Sequence, residues 1–120
     1  MKVVLVALLG AAGALSRYGI GTAVGSTTFP WATLGINLAG CFALGVVLAV
    51  GPVRWSPEVT TGIGVGFLGG FTTFSAFGVE TQSLLRDDRL GAAAAYVALS
   101  VVVGVAAAYV GTTLGRALVD

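Results

Sequence analysis

Four stretches of this chain, at about residues 3 to 24, 32 to 51, 59 to 85 and 90 to 115, run for about 20 residues or more almost without charge. That is the length a helix needs to cross the roughly 30 Å hydrocarbon core of a bilayer. The breaks between them are Ser26-Thr27-Thr28-Phe29-Pro30, Gly51-Pro52-Val53-Arg54-Trp55-Ser56-Pro57 and Arg86-Asp87-Asp88-Arg89, rich in Pro, Ser or charge as turns are. Only 9% of the residues are charged and 57% are hydrophobic, too little polar surface for a water-soluble domain of 120 residues. A mean hydropathy of +1.00 agrees. The reading is an all-α membrane protein with one four-helix transmembrane domain over residues 1 to 120, multi-pass in the cell membrane and surrounded by lipid.

Composition also removes whole classes of function. The net charge is +1, with no basic patch for nucleic acid. Histidine is absent and Cys41 is the one cysteine, so zinc sites, disulfides and Ser/His or Cys/His catalytic pairs lack their parts, and an enzyme is not expected. Cys41 reads as buried packing. Met1-Lys2 followed by Val3 to Leu9 and Ala12-Gly13-Ala14 has the layout of a secretory leader, whose cleavage would leave three spans. We take this segment instead as the first transmembrane helix.

With four spans, both termini lie on one side of the membrane together with Lys2, Arg54 and Arg116. Arg86 and Arg89 lie on the other side, joined by Arg17 if it snorkels outward. Lys and Arg asymmetry sets orientation, so a chain this balanced is expected to insert both ways up and to form an antiparallel, dual-topology homodimer with its axis in the membrane plane. A single orientation imposed by a partner is the competing reading. The 19 glycines, about twice the usual share, include the four-apart pairs Gly21 and Gly25, Gly66 and Gly70, and Gly111 and Gly115, which suit close helix packing. Four slim helices enclose no wide aqueous route, so any pathway is expected at the subunit's edge or between subunits.

The third span is the unusual one. Gly69-Gly70-Phe71-Thr72-Thr73-Phe74-Ser75 sits at its middle, and adjacent glycines followed by hydroxyl residues are poor helix formers. A break is expected there. At membrane depth, freed backbone groups must be taken up by protein or by an ion: carbonyls suit a hard cation such as Na⁺, amides an anion. A kink that serves packing alone is the simpler alternative. Gly64-Val65-Gly66-Phe67-Leu68-Gly69 matches a dinucleotide pattern by letter, but no strand precedes it and no acid follows at the required distance, so no nucleotide is expected.

Polar residues within the spans are candidate ion contacts. Asn37 and Thr33 are four apart in the second span and share a face; an interhelical hydrogen bond is the bland alternative. Phe74 and Phe77 lie on one side of the third span, where positive ring edges offer weak contact to a small anion, although such pairs are more often core. Phe67 and Phe71 fit core better. Tyr96 and Ser100 are four apart in the fourth span. Glu80 and Arg17 are the ionisable residues well inside the spans, placed to line a vestibule or to pair with each other. With no Lys or Arg at the midplane, an anion would depend on neutral donors: Asn37, Thr73, Ser75, Tyr96 and Ser100.

Gly10-Ala11-Ala12-Gly13-Ala14-Leu15-Ser16-Arg17-Tyr18, Thr33-Leu34-Gly35-Ile36-Asn37-Leu38-Ala39-Gly40-Cys41-Phe42-Ala43-Leu44-Gly45 and Gly66-Phe67-Leu68-Gly69-Gly70-Phe71-Thr72-Thr73-Phe74-Ser75-Ala76-Phe77-Gly78-Val79-Glu80 closely resemble the CrcB/Fluc family of fluoride channels. The resemblance implies a dual-topology homodimer with two fluoride-selective pores that passively export fluoride from bacteria, and a structural Na⁺ at the dimer centre. It implies that the carbonyls of Gly69 and Thr72 from both subunits bind that Na⁺ and that Phe74 and Phe77 are the pore rings. Asn37 becomes the pore amide, with Thr33 a turn before it and Arg17 near a vestibule. Glu80, Thr73 and Ser75 belong to a polar track beyond the rings, continued by Tyr96 and Ser100, and Gly104 stands where a further hydroxyl is often found.

Two other functions fit a chain with four spans less well. A small proton-coupled multidrug exporter shares four spans and dual topology, but it needs a carboxylate in the first span, and residues 3 to 24 hold no Asp or Glu. A purely structural membrane subunit would carry no conductance of its own.

Overall fold

In a computed structural model covering Met1–Asp120, lipid-length apolar runs become helices and the polar breaks become short connections. Helix α1 spans Lys2–Val24 and ends at Gly25, whose φ of 72° only glycine adopts without strain. Helix α2 spans Trp31–Arg54. The expected end near residue 51 is overrun: Pro52 lies inside α2, forfeiting its hydrogen bond to the Leu48 carbonyl, and the helix closes one turn later with Trp55 N–H donating to the Gly51 carbonyl at 2.9 Å.

The third span, Pro57–Arg86, begins where Ser56 and Pro57 dictate. The Ser56 hydroxyl accepts from the Val59 amide at 3.3 Å, and proline occupies the first helical position, where no N–H is needed. It comprises α3 (Pro57–Thr61), a π-helical stretch over Gly62–Leu68, α4 (Gly69–Phe71) and α5 (Phe74–Arg86). Between α4 and α5 the backbone is extended, with ψ 159° at Thr72 and φ −150°, ψ 120° at Thr73. Asp87, Asp88 and Arg89 close α5 in a Schellman turn. Asp88 takes the left-handed position at φ 56°, its N–H bonds the Leu85 carbonyl at 3.2 Å, and Arg89 N–H bonds the Leu84 carbonyl at 2.9 Å. The fourth span, Leu90–Ala117, comprises α6 (Leu90–Ala98), a π-helical turn over Leu99–Val103 and α7 (Gly104–Ala117).

Two helix pairs make the fold, and glycine sets both spacings. Helix α2 lies along α7: a Cβ on Gly45 would collide with the Ala108 carbonyl, and one on Gly111 with the Phe42 carbonyl. Helix α1 lies along the third span in the same way: a Cβ on Gly70 would collide with the Gly10 carbonyl, and one on Gly66 would sit 3.0 Å from the Val6 backbone. Missing side chains let backbones approach, which is how helices associate where lipid supplies no hydrophobic drive. Gly21 and Gly25 do not take part, since a Cβ on either meets nothing within 4 Å.

The four helices are each long and apolar enough to cross a membrane, and the molecule measures 48 × 29 × 20 Å. Its one apolar cluster, Leu34, Leu84, Ala93 and Tyr96, is small, while Leu8, Val102 and Tyr109 are more than 60% exposed. Such a surface belongs in hydrocarbon. The breaks pair by side: Arg89 donates to the Thr28 carbonyl at 2.9 Å across one pair, and Arg54 donates to the Leu118 carbonyl at 2.9 Å on the face of the termini.

Candidate functional site

The centre of the site is the extended pair Thr72 and Thr73. Helix α4 finishes with both the N–H and the hydroxyl of Thr72 donating to the Leu68 carbonyl, at 3.0 and 2.9 Å. The Thr73 hydroxyl then starts α5 by accepting from the Ala76 amide at 3.2 Å, and lies 3.4 Å from Ser75 Oγ. In between, the backbone of Thr73 has no helical partner. Asn37 on α2 supplies one, accepting from Thr73 N–H at 2.8 Å through Oδ1 and donating from Nδ2 to the Thr73 carbonyl at 2.9 Å. A side-chain amide thus stands in for a peptide group at a depth where unpaired backbone is costly. Gly40, one turn along α2, leaves room for the Thr72 methyl, which a Cβ there would strike.

A second polar cluster lies beside it. Glu80 on α5 accepts from the Thr33 hydroxyl and from the Tyr96 hydroxyl, each at 2.7 Å and each on a different carboxylate oxygen. Thr33 is nearly buried and Tyr96 fully so. Of the two alternatives for Glu80 and Arg17, mutual pairing is not made: Arg17 turns toward Gly70 and donates to its carbonyl from Nε at 3.3 Å. It therefore does not snorkel to the far side, and the balance of cations stands at three against two.

Aromatic rings connect the clusters. Phe74 and Phe77 have centroids 5.7 Å apart and planes inclined at 44°; Phe77 continues to Tyr96 at 5.1 Å. Phe77 is half-buried, whereas Phe74 is 83% exposed on the subunit surface. Phe67 and Phe71 stack on each other at 5.9 Å but are only half-buried and stand outside the apolar cluster, against which Phe77 packs instead, so the expected core pair is not the core. Phe29, from the first break and absent from sequence expectations, meets the Tyr96 ring edge-on at 5.5 Å.

A groove of about 340 Å³ runs past these residues, lined by Asn37, Thr72, Thr73, Phe74, Phe77 and Ser100 among others, with no charged side chain. Ser100 is carried by the π-helical turn of the fourth span, and its buried Oγ has no hydrogen-bond partner. Buried hydroxyls seldom go unpaired, and π turns are common at functional sites. Cys41 also lines the groove and is half-buried, so it is wall rather than fully buried packing. Gly69 and Thr72 lie on the same wall. Gly104 lies beside Cys41, where a Cβ would sit 3.7 Å from Sγ. Ser75 is exposed, away from the groove's lining.

Residues 4–112 match the family described as CrcB-like protein, Camphor Resistance (CrcB). The chain is similar to the fluoride-specific ion channel FluC of Rhodospirillum centenum, 42% identical with 99% of each chain covered. It is similar to the FluC of Paracoccus denitrificans at 43%, covering 94% of this chain and 93% of the relative. It is 44% identical to FluC 1 of Bacillus cereus, over 93% of this chain and 85% of that one.

Proposed function

The chain belongs to the CrcB family, and we propose that it is a fluoride channel that passively exports fluoride across the cell membrane. The single observation that carries the mechanism is the paired bond between Asn37 and Thr73. It holds the third span open beside a groove whose polar groups are all neutral.

Removing water from a small anion costs tens of kcal/mol by Born estimates, so donors must replace it along the route. The second Nδ2 proton of Asn37 and the unpaired hydroxyl of Ser100 are free to donate. Phe74 and Phe77 offer positive edges between them. None of these is a cation, so fluoride is held weakly enough to leave. Past the rings, the Tyr96 and Thr33 hydroxyls point at Glu80. An arriving fluoride would compete for those protons, while the carboxylate beside them repels it onward. Thr73 and Ser75 stand where the track enters α5.

We further read the working unit as an antiparallel, dual-topology homodimer. The near balance of cations supports insertion both ways up. An exposed Phe74 beside an open groove needs a second surface to enclose a path, which a second copy provides. The residues present also suit a structural Na⁺. Gly69 and Thr72 share the groove wall, Thr72 is extended, and carbonyl oxygens are ligands for a hard cation. Two carbonyls are too few for a cation, so the matching pair from the second copy would complete the shell. The charge of that ion would hold two broken helices together without adding a carboxylate that repels fluoride.

The test is fluoride efflux from proteoliposomes holding only this protein, started with valinomycin and read by a fluoride electrode. Rapid fluoride release without chloride release is expected, with a sharp reduction in Phe74→Ile. Silence from dimeric protein in Na⁺ would leave a purely structural subunit as the reading.

A further inference from the structure

The charged turn between the third and fourth spans has no part in the mechanism above, yet it forms one wall of a second cleft. This cleft of about 260 Å³ is lined by Thr27, Thr28, Glu80, Ser83, Asp87 and Arg89 among others. Glu80 is its link to the interior, since the same carboxylate holds Tyr96 and Thr33, and Tyr96 packs on Phe77 of the groove. The cleft is thus the outer end of the route proposed above. Two carboxylates, Glu80 and Asp87, face an anion there; Arg89 is the one cation in the lining.

Arg89 is fixed in place. The Schellman turn with Asp88 at φ 56° sets its backbone, and its Nη1 donates to the Thr28 carbonyl at 2.9 Å. That partner is a neutral carbonyl, so the guanidinium charge stays available to the cleft. By contrast Arg86, three residues earlier, is exposed and bonded to Gln82, outside the lining. We propose that Arg89 is an electrostatic entry residue. It offsets Glu80 and Asp87 at the mouth and raises the rate at which fluoride enters, without contacting the ion along the narrow part of the path. A fixed charge at a cleft mouth acts through concentration and encounter rate, and salt screens it.

The inference rests on the channel reading, and the experiment separates the two. Fluoride flux is measured for the wild type, Arg89→Gln, Arg89→Lys and Asp87→Asn at ionic strengths of about 10 mM and about 1 M set with sodium gluconate, where the screening length falls from roughly 30 to roughly 3 Å. Glutamine keeps a polar amide but carries no charge and is too short to reach the Thr28 carbonyl, so the salt dependence is what separates lost charge from the lost hydrogen bond. Arg89→Gln is expected to slow flux about three- to fivefold at low salt and to converge on the wild type at high salt. Arg89→Lys should follow the wild type at both, and Asp87→Asn should run faster at low salt. Arg89→Gln equal to the wild type at low salt, or equally slow at both salts, overturns the entry role while the channel stands. Should Arg89→Gln not fold, an Asp87→Asn flux no faster than the wild type at low salt does the same. A silent wild type removes the channel reading and this inference with it.

Discussion

Asn37 and Thr73 hold each other by two hydrogen bonds, side-chain amide to backbone, at 2.8 and 2.9 Å. Asn37→Ala would leave the half-buried N–H and carbonyl of Thr73 unpaired at membrane depth, each costing up to about 1–3 kcal/mol. Thermal unfolding in detergent should therefore show a lower midpoint, and flux should vanish. Asn37→Asp keeps the acceptor for Thr73 N–H, loses the donor and places a negative charge beside the groove. The carboxylate oxygen that replaces Nδ2 would face the Thr73 carbonyl acceptor to acceptor, so this variant is expected to fold no better than Asn37→Ala and to conduct nothing. A conducting Asn37→Asp would remove the amide from the path.

Similar-looking glycines make opposite predictions according to whether they face a neighbouring helix. Gly45→Ala and Gly111→Ala drive a methyl into the carbonyls of Ala108 and Phe42, so each should cost about 1–3 kcal/mol by overpacking. Gly21→Ala meets open space and should raise helix stability by up to about 1 kcal/mol. Melting midpoints of the three variants check this, and a destabilised Gly21→Ala would mean that α1 meets a surface outside the subunit.

Tyr96 joins the rings to the carboxylate. Tyr96→Phe keeps the packing on Phe29 and Phe77 and removes only the 2.7 Å bond to Glu80. A hydrogen bond to a charged group contributes about 1.5–3 kcal/mol, so the variant should melt lower and carry less fluoride. A double-mutant cycle with Glu80→Gln should give a coupling of about 1 kcal/mol or more. Additivity would mean that the two residues act separately.

The apolar runs were legible because the bilayer imposes length, but their ends only to within a few residues: α2 runs past 51 to Arg54, and the Ser56 cap with Pro57 starts the third span two residues before 59. Which residues share a face was legible too: Thr33 and Asn37, four apart on α2, both reach across to the segment that runs from Thr73 into α5. Partners between helices were not. Periodicity puts Gly21 and Gly25 on the same footing as Gly111 and Gly115, although only the latter pair faces a neighbouring helix. Opposite charge alone suggested Arg17 with Glu80, but hydroxyls from two other helices reach the carboxylate, and Arg17 finds a freed carbonyl instead. Phe29 escaped notice because it lies in a break, where no periodic pattern marks it. The π-helical turn that carries Ser100 leaves no trace in a run of Val, Leu and Ala.

Ser100 separates function from stability. Its Oγ is buried without a partner, so the folded subunit gains nothing from that hydroxyl and bears its desolvation. Ser100→Ala is therefore expected to be as stable as the wild type or up to about 1 kcal/mol more stable, the reverse of the usual effect of deleting a buried polar group. Fluoride flux should nevertheless fall, because Ser100 lines the groove and its hydroxyl proton, which no protein group takes up, is the one lost. Ser100→Thr, which restores a hydroxyl, should recover part of that flux. Melting curves beside efflux traces decide the matter. A destabilised Ser100→Ala with unchanged flux would give the hydroxyl a packing role and place the donor series elsewhere.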